Sequence, residues 1–184
     1  TFNNVNKEIA YKDIKKLSEK YKKNIKVLNV LSQISQKMGD IDTTINSLKK
    51  ILLIDKSNIE CISKIYKLLL TKSLLDEALE NINLILKIDK HHYEAIRDKA
   101  YIYFLKNDFS EAKKCIDNIS KLKDDDSFAY NIKGLIYFKC SNFHEAKNYF
   151  EKAININSKY LDSYNNLGVC LLELEKLDEA YIVF

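Results

Sequence analysis

Between residues 127 and 160, apolar and small positions fall into two stripes of helical spacing. Tyr130, Gly134, Tyr137 and Ser141 stand three or four apart, which places them on one face of a helix. Ala146, Tyr149, Phe150, Ala153 and Ile154 form a second stripe, and "SNF" (141–143) separates the two. The spacing predicts helices over about 129–140 and 144–156. Each stripe is too narrow to make a core alone and must be covered by neighbouring helices.

The same pattern recurs. "DEALENI" begins at Asp76, "SEAKKCI" at Ser110, "HEAKNYF" at His144 and "DEAYIVF" at Asp178, each 34 residues after the last. Ala78, Ala112, Ala146 and Ala180 share one column, which runs back through Thr44 to Ala10. Gly168, Gly134 and Ala100 make a small-residue column, occupied earlier by Tyr66 and Ser32. Phe184 and Phe150 lead back to Ile116, Ile82, Leu48 and Ile14. The phase predicts one array: the second helix of a partial repeat at 1–24, full repeats at 25–58, 59–92, 93–126 and 127–160, and a partial repeat at 161–184. A register that starts and stops inside a unit leads us to expect a piece of a longer array, because repeat arrays need polar caps at their ends.

Composition narrows the class. The 184 residues contain no proline and three glycines, too few turn-formers for a loop-rich β fold. The longest apolar run is six residues, at 100–105, so no membrane insertion is expected. Residues 1–90 carry 17 basic and 11 acidic side chains, net +6; residues 91–184 carry 13 and 15, net −2. Only Arg97 among the 30 basic residues is arginine, and base readout leans on the planar guanidinium fork, so nucleic acid is not an expected partner. Cys61, Cys115, Cys140 and Cys170 form no C-x-x-C pair and sit in apolar runs. They read as small buried hydrophobes in a reducing, cytoplasmic setting.

The columns resemble the tetratricopeptide repeat (TPR), whose pattern is W-x2-L-G-x2-Y, then A-x3-F, then P, at a period of 34. Tyr164-x2-Leu167-Gly168-x2-Leu171 with Ala180-x3-Phe184 follows it. So does Tyr130-x2-Lys133-Gly134-x2-Tyr137 with Ala146-x3-Phe150 and Ala153. The proline is absent: Lys56, Lys90, Asp124 and Ser158 stand in its place. Lys99 and Lys133 replace the usual Leu and are expected to send their ammonium groups to solvent. The resemblance implies an all-α solenoid, a right-handed superhelix of antiparallel helix pairs. It also implies that the first helix of each pair lines a concave groove.

Catalytic and metal chemistry find no constellation. His144-Glu145 opens the zinc motif H-E-x-x-H, but the second His is missing, since Asn148 stands there. His144 shares its column with Asp76, Ser110 and Asp178, residues that start helices; capping or plain exposure is its expected role. His91 and His92 fall in a turn. "KDDDS" (123–127) lacks the spaced loop, Gly and terminal Glu of a calcium site. There is no G-x-S-x-G, Walker loop or G-x-G-x-x-G. No metal, cofactor or catalytic residue is expected.

The remaining candidate is the groove the resemblance implies. Its expected polar contacts are Arg97, Asn131 and Asn165. Its expected apolar contacts are Tyr101, Phe104, Leu135, Phe138 and Leu172. Such a stripe would dock an amphipathic helix or peptide of a partner protein, or pack internally against neighbouring helices. The carboxylate clamp of some chaperone-binding relatives is not matched, because Ile132 and Asp162 stand where Asn and Lys are wanted. The expected function is a non-catalytic protein-interaction scaffold. The alternative is the arm of a larger enzyme, such as a glycosyltransferase or kinase, with its chemistry elsewhere. Uncapped ends would also allow self-association.

Overall fold

The computed structural model describes residues 2–123 and 125–184, with the side chains of residues 2–6 outside that description. Asp124, one of the proline-column residues and part of the 123–127 run, lies outside it as well. Among the described residues there are eleven helices and no strand: α1 (Phe2–Lys20), α2 (Ile25–Lys37), α3 (Ile41–Ile54), α4 (Ile59–Thr71), α5 (Leu75–Ile88), α6 (Tyr93–Leu105), α7 (Phe109–Leu122), α8 (Ser127–Lys139), α9 (Phe143–Ile156), α10 (Leu161–Glu173) and α11 (Leu177–Val183). The fold is an all-α solenoid of consecutive helix pairs. It divides into two compact units, Thr1–Lys90 and His91–Phe184. In the first, α2 pairs with α3 and α4 with α5. In the second, α6 pairs with α7, α8 with α9 and α10 with α11. The helices expected at 129–140 and 144–156 are α8 and α9. Each begins earlier than the apolar stripe suggests, because the caps are Asp126 and Asn142.

Caps recur at the period of the repeat. Asn24, Asn58, His92 and Asp126 accept a backbone N–H three residues on and so start α2, α4, α6 and α8. Asp40, Asp108 and Asn142 do the same for α3, α7 and α9. These contacts satisfy amide groups that a helix start leaves without partners. His144 is therefore not a cap; it lies exposed in the first turn of α9, and Asn142 does the capping.

The turn inside each pair is also periodic. Gly39, Ser73, Asn107, Ser141 and Glu175 all have positive φ, between 58° and 77°. After each one, the next amide reaches back to a carbonyl five residues earlier, as Asn142 N–H does to Tyr137 O at 3.0 Å. This is a helix-ending αL turn, where glycine fits without strain. Ser141→Gly and Glu175→Gly are expected to stabilise the second unit by about 0.5–1 kcal/mol each: relief of about 1–2 kcal/mol of left-handed strain exceeds the greater freedom of the unfolded chain. Urea unfolding of each variant reads this out.

The core sits between paired helices. Small residues in one column admit large ones from the other. A Cβ at Gly134 would lie 2.5 Å from the Phe150 ring, and one at Gly168 would overlap the Phe184 ring. Phe150 is fully buried and clusters with Ala146, Leu167, Cys170 and Leu171. In the first unit the same small-residue column holds the fully buried Tyr66, with Ile82 in the partner column. Three cysteines are buried as expected, but Cys140 is exposed. It is the C-cap of α8, in the turn that leads to α9.

In the first unit, Asp40 joins three elements. Its carboxylate accepts the Tyr11 hydroxyl from α1, the Thr43 amide at 2.9 Å and the Thr43 hydroxyl at 2.8 Å. The Tyr11 hydrogen bond, then those from Thr43, hold its pKa down at about 2 against an ordinary 3.8. A lowered folded-state pKa stabilises above the unfolded value and is lost as pH falls through the folded one. Amide protection in α1 is therefore expected to drop between about pH 4 and pH 2. Asp40→Asn should flatten that drop, as hydrogen exchange at stepped pH would show.

Candidate binding groove of the second unit

Three first helices contribute to one cavity of about 480 Å³. α6 contributes Tyr101. α8 contributes Phe128, Asn131, Ile132 and Leu135. Tyr160 and the first turns of α10 contribute Tyr160, Asp162, Asn165 and Asn166. The lining repeats at intervals of 34: Phe128 with Asp162, Asn131 with Asn165, Ile132 with Asn166. One turn of helix brings these columns side by side.

The walls are aromatic. Tyr101 meets Phe128 edge-on with centroids 6.3 Å apart and stacks on Phe104 at 6.5 Å. The Arg97 guanidinium lies 5.2 Å from the Phe128 ring centre, a cation–π contact. Its Nε and Nη2 both donate to Asp98 Oδ1, at 3.1 and 3.0 Å.

The floor is polar and held from within. Asn131 is 3% exposed. Its side-chain oxygen accepts Ser163 Oγ at 3.0 Å and Asn166 Nδ2 at 2.9 Å, which ties α10 to α8. Tyr160 stands in the column of Asn24, Asn58, His92 and Asp126, yet α10 has no side-chain cap. The phenol turns into the cavity instead. Burial first, then the nearby Asp162 carboxylate, pushes its pKa up to about 12, with Arg97 and an Asn131 hydrogen bond pulling the other way. Asp126 also raises it. That residue is 4% exposed; its Oδ1 caps α8, while Oδ2 is buried with no hydrogen-bond partner among the described residues.

Of the eight residues expected to form the groove, Tyr101, Asn131, Leu135 and Asn165 line this cavity, and Arg97 lies at its Phe128 edge. Phe138 joins Leu135, Phe150, Asn166 and Val169 around a smaller void of about 70 Å³. It packs edge-on against Phe143 at 5.2 Å. Phe104 lies against Phe109 at 6.1 Å. Both rings are half-buried within their own helix pairs. Leu172 lines neither cavity but is 46% exposed, as Val169 is 43%. Sequence reasoning missed Tyr160 as a site residue. The signal was there: a bulky aromatic interrupts a column of capping residues.

On the other side of the second unit, Lys113, Lys133, Tyr137, Cys140 and Tyr149 share a cavity of about 580 Å³. Lys99 and Lys133 sit over the rings of Tyr103 and Tyr130. Among the described residues no group of three or more His, Cys, Asp or Glu side chains is placed to hold a metal, and no helix is long and apolar enough to cross a membrane.

Two family models described as tetratricopeptide repeat match the chain, over residues 129–160 and 149–181. No curated protein matches it. Among solved structures, MamA is similar at 23% identity and a TM-score of 0.70, over 87% of each chain. A tetratricopeptide repeat protein from Parabacteroides merdae is similar at 17% identity and a TM-score of 0.82, over 99% of this chain and 72% of its own. YrrB, described as a TPR protein with an unusual peptide-binding site, is similar at 15% identity and a TM-score of 0.62, over 92% and 88%. Residues 129–181 are therefore tetratricopeptide repeats, set in a chain that carries the same fold along nearly its whole length.

Proposed function

We propose that the protein is a non-catalytic interaction scaffold whose second-unit groove holds a peptide or helix of a protein partner. The observation that carries this is the run of exposed apolar side chains continuing from the cavity: Tyr101, Val169 and Leu172 are 39–46% exposed along one face of α6 and α10. Apolar positions facing a groove are where an extended or helical segment docks. The peptide-binding site ascribed to YrrB supports the reading by analogy of fold.

The test replaces Val169 and Leu172 together with Asp. Both are surface positions, so stability should change by no more than about 1 kcal/mol in total, while partner affinity should fall at least about tenfold, the worth of roughly 1.4 kcal/mol. Phe104 and Phe138 are poorer targets, because their packing on Phe109 and Phe143 would confound folding with binding. Undiminished binding by the Val169→Asp, Leu172→Asp protein would remove this face from the site.

A further inference from the structure

We propose that the segment held in this groove carries a positively charged side chain, Lys or Arg, seated between Asp162 and the aromatic wall, with apolar residues running on toward Leu172. The inference rests on the groove reading above and specifies the chemistry of its occupant.

The columns that line the cavity, with the capping column beside them, carry Glu94, Asp98, Asp126 and Asp162 against Arg97. Arg97 is already paired with Asp98. Lys99 and Lys133 of the same helices sit over Tyr103 and Tyr130, which do not line the cavity. The groove face is therefore net acidic, although the chain as a whole carries +4. Such a field attracts a basic segment.

The cavity itself agrees. Asp162 lines it beside the Tyr160 phenol, and Asp126, next to it in the capping column, keeps a buried oxygen with no donor among the described residues. The aromatic surfaces suit a cation as well, since Phe128 already receives the Arg97 guanidinium. An acidic or C-terminal carboxylate ligand would meet the Asp162 carboxylate at the rim, while Arg97, the cation at the Phe128 edge, is held by Asp98.

A displayed library of random twelve-residue peptides, selected on the 1–184 protein, supplies the probe. The selected peptides should share a Lys or Arg three or four residues from a large apolar residue. Asp162→Lys should weaken them at least tenfold, and exchanging the peptide's Lys or Arg for Glu should recover the loss. Circular dichroism confirms that the variant stays folded. If the selected peptides are acidic, or are insensitive to Asp162→Lys yet lost on Leu172→Asp, the cation assignment falls and the groove reading stands. If no peptide is selected, or all are insensitive to both changes, both readings fall.

Discussion

Phe150→Ala is expected to cost about 3–5 kcal/mol, the range for emptying a buried aromatic site. The ring is fully buried and reaches three helices: it sits on Gly134 of α8, belongs to α9, and clusters with Leu167, Cys170 and Leu171 of α10. Removing it leaves a cavity that no single helix can collapse to fill. In a repeat fold each pair is stabilised chiefly by its neighbours, so the loss should appear as early unfolding of α8–α10. Hydrogen exchange would locate it, and urea unfolding would size it. Tyr181→Ala, at a position 88% exposed, should change stability by less than about 0.5 kcal/mol.

Gly134→Ala is expected to act against the usual sign. In an exposed helix interior that change gains about 1 kcal/mol. Here the new methyl would stand 2.5 Å from the Phe150 ring, and the ring is walled in by α10. Forcing a methyl into a filled core costs about 1–3 kcal/mol, which leaves a net loss of up to about 2 kcal/mol. The two changes share one space and cannot be additive. Combined with Phe150→Ala, Gly134→Ala should lose its penalty and become favourable by about 1 kcal/mol. An unfavourable Gly134→Ala in both backgrounds would show that something other than the ring limits that position.

Much of this was legible in the sequence, because a 34-residue register repeats the same contacts and each column names a role. The small column marks where a partner ring lands, and the first-helix stripes supply Tyr101, Asn131, Leu135 and Asn165 of the cavity lining. What was not legible depends on neighbours or on backbone conformation. The αL turn is hidden because Ser73, Asn107, Ser141 and Glu175 fill a position where only Gly39 announces it. Cys140 looks like a core residue in an apolar run, yet it falls at the end of α8. Asn131 reads as a surface contact, but Ser163 and Asn166 of the next pair close over it. Tyr160 was readable only as a break in a capping column that becomes evident once Asn58, His92 and Asp126 are seen to cap.

The central claim is that partner segments occupy the face formed by α6, α8 and α10. Amide chemical-shift mapping of the labelled protein with a selected peptide tests it most directly. The account predicts shifts centred on Tyr101, Leu135, Asn165 and Val169, with Tyr137 and Tyr149 on the other side unmoved. Shifts confined to the cavity around Lys113, Lys133 and Tyr149 would contradict it.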